Sequence, residues 1–443
     1  MKEADILIRN CVILPMVGRE VIREGVIATK NGKIIYVGKK SKALRVRAEK
    51  VVDGRGKVAI PGLVNCHTHL AMTLLRGIAE DQPLETWLKE IIWPLEAKLK
   101  PEDVYDGALL GCLEMIRNGT TTFADMYFHE DQVARAVEEA GLRAVLAQGI
   151  PGAGVSRRGE KMLQGSIDFA REYKGYADGR VTVQLGPHSV YTCGLDLLAE
   201  VRKKASDLNV GVHIHLAESE EKVSDIKRKH GLTEVEFLEK IGFLGPDVLA
   251  AHCIHLTKEE TQLLAKQNVK VSYNPVANMK LAQGTAKIKD LLDLGITVGV
   301  GTDGPASNNN LDMFQSMKTA ALLQKQYHKD PTVLPAKTVL EMATIDGAKA
   351  LGLEKTVGSL KVGKRADVIL LDFKKPHLTP LHDFYANIVY SAHGSDVDTV
   401  VVDGKILMEN KNVKTIQEEK VMLKAQKTAT NLLKRKSSHV KVY

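Results

Sequence analysis

The stretch Pro61-Gly62-Leu63-Val64-Asn65-Cys66-His67-Thr68-His69 decides how this chain is read. A short apolar run with strand character ends in two histidines. In an extended chain, residues i and i+2 point the same way, so His67 and His69 project together from one strand end. Two imidazoles converging on a point make half of a transition-metal site. Alone, such a pair is a weak signal. Its weight comes from what the rest of the chain repeats.

Short apolar runs recur at 58–65, 121–126, 144–149, 181–187, 210–216, 248–252, 269–273 and 296–301, separated by amphipathic helical patterns such as 103–118 and 131–140. Eight strand–helix repeats over about 300 residues is the count of a (β/α)8 TIM barrel. An open doubly wound sheet is the alternative, but no glycine-rich dinucleotide loop follows the first strand. Five of the eight runs end in His or Asp, and barrel active sites collect at the C-terminal strand ends. The fourth run leads to His188. The fifth reads Val212-His213-Ile214-His215-Leu216-Ala217-Glu218, the sixth ends in His252-Cys253, and the eighth leads into Gly301-Thr302-Asp303-Gly304.

Outside the barrel the texture is different. The first 58 residues and the segment after 357 carry short β patterns and turn signals such as Lys30-Asn31-Gly32-Lys33. Neither end supplies enough strands to stand alone. The expected organisation is a composite β-sandwich domain from 1–58 and 357–443, and a catalytic barrel from 59–356.

Composition narrows the class further. Of 443 residues, 44% are hydrophobic and 26% charged, which excludes a disordered chain, a collagen and a disulfide scaffold. No run approaches 18 apolar residues, and the N-terminal stretch lacks the apolar core of a signal peptide, so a cytoplasmic address without membrane contact is expected. The five cysteines, at 11, 66, 112, 193 and 253, are odd in number and irregularly spaced, which reads as reduced thiols. The net charge is +8, and residues 405–443 alone hold ten Lys/Arg against three Asp/Glu. Without aromatic interleaving or a recognition motif, that tail reads as a solvated face or a subunit contact of a homo-oligomer, and no nucleic-acid partner is expected.

His67, His69, His215 and Asp303 supply three neutral nitrogens and one carboxylate, the ligand count of a catalytic site with a position left for water. Donors of this kind suit zinc, with iron or manganese as alternatives. Glu218 and His252 remain for proton transfer. His213 points inward one layer deeper and reads as a hydrogen-bonded core histidine. A helix N-cap is the structural alternative for Asp303, and a helix N-terminal carboxylate that for Glu218.

The chain resembles the amidohydrolase superfamily, and within it the 5′-methylthioadenosine/S-adenosylhomocysteine deaminases, the group that includes the 5′-deoxyadenosine deaminases. The resemblance spans essentially the whole chain. It rests on Pro61-Gly62-Leu63-Val64-Asn65-Cys66-His67-Thr68-His69-Leu70 with Met72-Thr73-Leu74-Leu75-Arg76-Gly77, Trp93-Pro94-Leu95-Glu96, Asp125-Met126-Tyr127-Phe128-His129 and Gly186-Pro187-His188-Ser189. It continues through His215-Leu216-Ala217-Glu218, His252-Cys253, Asn274-Pro275 with Asn278, and Gly301-Thr302-Asp303-Gly304 followed by Ser307-Asn308-Asn309.

The resemblance implies one divalent metal ion per subunit, zinc first. The fourth strand offers no lysine of the kind that binuclear relatives carboxylate. It implies hydrolytic deamination of the adenine of a 5′-substituted adenosine. Asp303 would orient the water and accept its proton, His252 would bond the nucleophile, and Glu218 would shuttle a proton to N1. Glu96 would clamp the ribose hydroxyls, and His188 would contact the purine edge. One departure stands out. Relatives that accept a homocysteine moiety carry an arginine at the end of the third strand, suited to a carboxylate, and this chain has Gln148 there. Arg157, Arg158 or Lys161 in the following loop are the candidate substitutes. S-adenosylhomocysteine is therefore not expected to be strongly preferred over 5′-deoxyadenosine, 5′-methylthioadenosine or adenosine. Guanine deaminase or triazine chlorohydrolase activity on the same scaffold is the alternative enzyme reading, and a metal-free scaffold relative the non-enzyme one.

Overall fold

A computed structural model describes residues 2–18, 21–40, 46–78, 80–152 and 157–435. The chain begins with β1 (Lys2–Ile13), β2 (Ile22–Lys30), β3 (Lys33–Lys39), β4 (Val46–Asp53) and β5 (Lys57–Pro61). It then builds the barrel strands β6 (Leu63–Thr68), β7 (Thr120–Tyr127), β8 (Arg143–Ile150), β9 (Val181–Pro187), β10 (Gly211–Leu216), β11 (Val248–His252), β12 (Lys270–Tyr273) and β13 (Val298–Val300). It returns with β14 (Val368–Asp372), β15 (Val397–Val402), β16 (Lys405–Glu409) and β17 (Asn412–Val413).

The eight middle strands run parallel in the order β6 to β13, with helices between them. No residue of β6 or β7 is exposed, as strands covered on both faces require. The β13–β6 seam is closed by other means than a ladder. Asp303 N–H donates to His67 O at 2.9 Å. The Asn65 amide donates to Thr302 Oγ1 at 2.7 Å and accepts from Thr302 N–H at 3.0 Å. Gly299 and Gly301 permit that approach, because a Cβ would stand 2.2 Å from Cys66 Sγ at the first and 2.3 Å from Asn274 Oδ1 at the second.

The nine remaining strands form one mixed sheet in the order β17-β16-β15-β14-β5-β1-β2-β3, with β4 beside β1. Its apolar cluster includes Ile6, Ile8, Ile13, Ile27, Ile34, Val368 and Leu370, drawn from both ends of the chain. The Asn31-Gly32 turn has φ of 49° and 74°, the paired left-handed geometry of a tight hairpin.

The run expected as one strand over 58–65 is two strands, broken at Gly62. Up to Pro61 it pairs with β14; from Leu63 it belongs to the barrel. A Cβ at residue 62 would stand 2.0 Å from Thr121 Oγ1, so only glycine lets the chain cross from one sheet to the other. Near this crossing Arg143 makes a bidentate bond to Asp367 at 3.0 and 3.2 Å. Asp403 lies 3.6 Å from Arg143 and 3.0 Å from Arg365.

The basic segment forms the helix Glu418–Lys434, which docks on the helix Pro101–Arg117. Thr428 Oγ1 donates to Asp106 at 2.6 Å, and Arg435 pairs with Asp103. All five cysteines are buried and free. Among the described residues, no helix is long and apolar enough to cross a membrane.

Candidate active site

Four side chains meet where β6, β10 and β13 end. Asp303 Oδ1 lies 3.3 Å from His67 Nε2 and 3.3 Å from His69 Nε2, and His215 Nε2 lies 3.3 Å from His69 Nε2. Each imidazole is aimed by its other nitrogen. His69 Nδ1–H donates to Met126 O at 2.7 Å, and His215 Nδ1–H to His188 O at 2.7 Å. His67 Nδ1 meets His213 Nε2 at 2.8 Å. The proton sits on Nδ1 of His67 when Nε2 offers its lone pair to the centre, so His213 then accepts. His213 is buried one layer below, where the sequence placed it. Ser307 Oγ donates to Asp303 Oδ2 at 2.8 Å, leaving Oδ1 turned inward.

This donor set fits a divalent cation. Tetrahedral donors about 2.0–2.1 Å from a metal stand roughly 3.4 Å apart, close to the spacings found here. His67 Nε2 is fully buried, and Asp303 Oδ1, 3.3 Å away and shared with His69, is poorly placed to satisfy it, a costly arrangement for a nitrogen that nothing coordinates. Acceptors bonded behind each imidazole are the usual support of a ligating histidine. In the chain by itself, burial opposes a charge on His69, but the hydrogen bond and charge of Asp303 overcome it and hold the imidazole pKa at about 9. That proton occupies the place a cation would take. Burial keeps His67 at about 4 and His215 well below the usual imidazole range, so both present lone pairs at neutral pH.

Two further groups flank the cluster. His252 Nε2 lies 3.8 Å from Glu218 Oε1, and Asn278 Oδ1 fixes His252 Nδ1–H at 2.9 Å. The nitrogens of His252, His67 and His215 lie within 4.8 Å of one another, so His252 also borders the metal position. Burial pushes the Glu218 carboxyl above its ordinary range, which His252 partly offsets and the Asp303 charge reinforces. A carboxyl so placed holds its proton more readily than an exposed one, which suits a group that donates and takes back a proton. Deeper lie two fully buried acids, Asp125 and Glu130. Burial and their mutual charge raise Glu130 well above the usual range, and burial raises Asp125.

The cluster opens into a cavity that reaches the surface. His188 and Glu96 line it, Glu96 at 6% exposure. His188 Nδ1 lies 3.2 Å from both Ser189 Oγ and Thr192 Oγ1, and its ring centroid 4.7 Å from that of His215. Much of the remaining wall is one segment. Leu84–Thr86 is a helical turn, Trp87–Ile92 a wider π turn and Trp93–Glu96 a further helical turn. Trp93 N–H reaches back five residues to Leu88 O, and Pro94 offers no N–H to continue the ladder. This segment contributes Leu84, Trp87, Leu88, Ile92, Trp93 and Glu96. It is tied down by Glu85–Lys222 at 3.3 Å, and the chain just before it by Glu80–Lys280 at 2.7 Å.

Among the described residues, no Lys or Arg lines this cavity. Gln148 does not line it either, because its Oε1 accepts from Glu130 N–H at 3.0 Å. Arg158 and Lys161 are exposed on the helix Arg157–Tyr173, away from the lining. The loop before them, 153–156, and the side chain of Arg157 lie outside the described residues.

Sequence reading missed the residues that aim the others. Asn278 stood in a quoted motif without a role, and Ser307 follows Asp303 by one helical turn, a spacing that could have flagged it. Glu234, described below, carried no local signal.

Residues 58–407 match the Amidohydrolase family. A 5′-deoxyadenosine deaminase of Methanosarcina mazei is 50% identical over 436 residues, covering 98% of this chain and 100% of that protein. A 5-methylthioadenosine/S-adenosylhomocysteine deaminase of Moorella thermoacetica is 51% identical over 417 residues, covering 94% and 97%. The crystal structure of an adenosine deaminase from Xanthomonas campestris with bound zinc superimposes with a TM-score of 0.93 at 32% identity, over 98% of this chain and 99% of that one. With a family match over most of its length and relatives at about half identity over nearly all of it, the chain belongs to the amidohydrolase family.

Proposed function

We propose that this protein is a hydrolytic deaminase that converts the adenine of 5′-substituted adenosines to hypoxanthine and releases ammonia. The observation that carries the reading is the protonatable Glu218 carboxyl, set 3.8 Å from His252 beside the four converging donors and facing an apolar, aromatic cavity. His67, His69, His215 and Asp303 would hold the cation, and zinc suits their nitrogen and oxygen donors. When bound, the ion supplies an acidified water as nucleophile at neutral pH.

The chain's own residues do the rest. Asp303 orients the attacking water and takes its proton. Glu218 delivers a proton to N1 of the purine, which makes C6 electrophilic; Asp303 passes the proton taken from water to the amino group, the C6–N bond breaks to release ammonia, and the proton of the new C6 hydroxyl returns to Glu218 as the carbonyl forms. His252, held by Asn278, bonds the nucleophile and steadies charge at C6. Glu96 accepts from the two ribose hydroxyls. His188 meets the purine edge. The wall from Leu84 to Trp93 excludes water from the ring.

The 5′ position is the point of choice. Among the described residues no cation lines the cavity, and Gln148 is engaged by Glu130, so the reading favours 5′-deoxyadenosine, 5′-methylthioadenosine and adenosine over a substrate with a homocysteine carboxylate. The enzyme would act in the cytoplasm, as a homo-oligomer.

The test is the absorbance change of adenosine turning into inosine, with ammonia release and metal content measured alongside. Glu218→Gln is expected to keep its metal and lose about 10²–10⁴-fold in kcat. Retained turnover would remove Glu218 from the mechanism. A large kcat/KM advantage for S-adenosylhomocysteine would overturn the specificity, and guanine or triazine turnover in place of adenosine the reaction itself.

A further inference from the structure

The two proton-handling groups sit on strand exits that are both bent against preference. Beyond β10, Ala217 has φ 49°; at the end of β11, His252 has φ 75° and Cys253 φ 51°. Left-handed conformations of non-glycine residues are strained and persist where their surroundings over-determine them. Here the surroundings are one knot of hydrogen bonds. Cys253 N–H donates to Leu216 O at 2.9 Å, and Ile254 and His255 N–H both donate to Ala217 O, at 3.0 and 2.9 Å. The knot lashes the chain before Glu218 to the chain after His252.

One bond of the knot comes from a side chain 17 residues away. Ala217 N–H donates to Glu234 Oε2 at 2.7 Å. The β10–β11 ladder ends at Leu216 and His252, so no neighbouring strand offers this N–H an acceptor. Ala217 is 2% exposed and Glu234 3%, so water does not readily replace the carboxylate. Glu234 is itself fixed. It opens the helix Glu234–Lys240 behind the Thr233 cap, where Thr233 and Glu236 bond each other's backbone. It lies outside the cavity lining.

We propose that Glu234 is the positioning residue of the Glu218–His252 pair. By holding the Ala217 N–H it keeps the exit of β10 in its left-handed turn and aims the Glu218 carboxyl across at His252. The inference rests on the deaminase reading, which gives that pair its work. It assigns Glu234 no contact with substrate or metal. Losing its bond displaces the acid and leaves the donors and the cavity in place.

The experiment compares Glu234→Ala, Glu234→Gln and Glu234→Asp in the full chain, reading kcat, KM, bound metal and the dissociation constant of inosine. Glu234→Ala is expected to lose about 10²-fold in kcat, the scale of a misplaced catalytic group, with KM, inosine binding and metal content unchanged. Glu234→Gln keeps an acceptor oxygen at the same reach and is expected to restore turnover close to wild type. Glu234→Asp, with its oxygen withdrawn by one methylene, is expected to fall with the alanine variant, and it decides the question if alanine prevents folding. Wild-type kcat in Glu234→Ala or Glu234→Asp would overturn the proposal. So would a fall shared equally by kcat, metal and inosine binding, or a glutamine variant as slow as the alanine one. An inactive wild type would instead defeat the deaminase reading.

Discussion

At the end of the barrel facing the mixed sheet, Arg143 is 3% exposed and meets Asp367 through two parallel bonds, with Asp403 and Arg365 completing the chain of charges. At the opposite end, His67 is fully buried, and its Nε2 has beside it one carboxylate oxygen, Asp303 Oδ1 at 3.3 Å, which it shares with His69. Both ends remove polar groups from water, which is costly unless they are matched. The first matches them with each other and becomes scaffold. The second leaves lone pairs pointing at a common centre and becomes capable of chemistry. Burial alone does not mark a site; several buried donors converging on one centre do.

The contrast can be broken from either side. The largest expected effect is at the open end. Asp303→Ala should abolish bound metal and turnover together, while the fold survives; elemental analysis, the absorbance assay and circular dichroism check this. At the closed end, Asp367→Ala leaves Arg143 buried with its bidentate partner gone. It should cost about 3–5 kcal/mol in denaturant unfolding while kcat per folded molecule stays at wild type. A variant that lost catalysis in proportion to stability would erase the division between the two ends. Ser307→Ala sharpens it by a smaller step. It removes only the hydroxyl behind Asp303 Oδ2 and should weaken metal binding by about 10–100-fold in chelator competition.

The smallest effect concerns Glu130. Its folded pKa lies well above the ordinary value of 4.5, so the folded chain retains a proton that the unfolded chain releases there. Its contribution to stability is therefore complete below about pH 4.5 and is lost as pH rises through the raised folded value. Glu130→Gln removes that loss. Its stability relative to wild type should climb with pH above the carboxylate range, as read from paired unfolding curves. A difference independent of pH would show that the acid pair holds no shared proton.

Much of this was legible in the sequence because it is periodic or local. The barrel follows from apolar runs alternating with amphipathic ones, and His67, His69 and His213, His215 announce themselves by their spacing of two. What was illegible depends on partners far along the chain. The run from Val58 to Asn65 holds Pro61-Gly62, a break that its apolar flanks masked, and the need for glycine there is set by the Thr121 side chain. Gln148 read as a missing cation; its structural task, holding the Glu130 N–H, is set by a neighbouring strand exit. Asn278 and Glu234 act through atoms 26 and 17 residues away, and no local pattern reports such a bond.

The crossing at Gly62 has a consequence for biosynthesis. β5 is flanked by β1, made before it, and by β14, made some 300 residues after it. All four proposed metal donors have been translated by residue 303, whereas β14 is complete only at Asp372. At roughly 5–20 residues per second, several seconds separate the two events. Throughout that interval the nascent polypeptide owns every donor while one edge of β5 stands open to stray strand pairing. A message truncated between these points would yield an aggregation-prone product, and ribosome-associated chaperones have their clearest task in covering that edge.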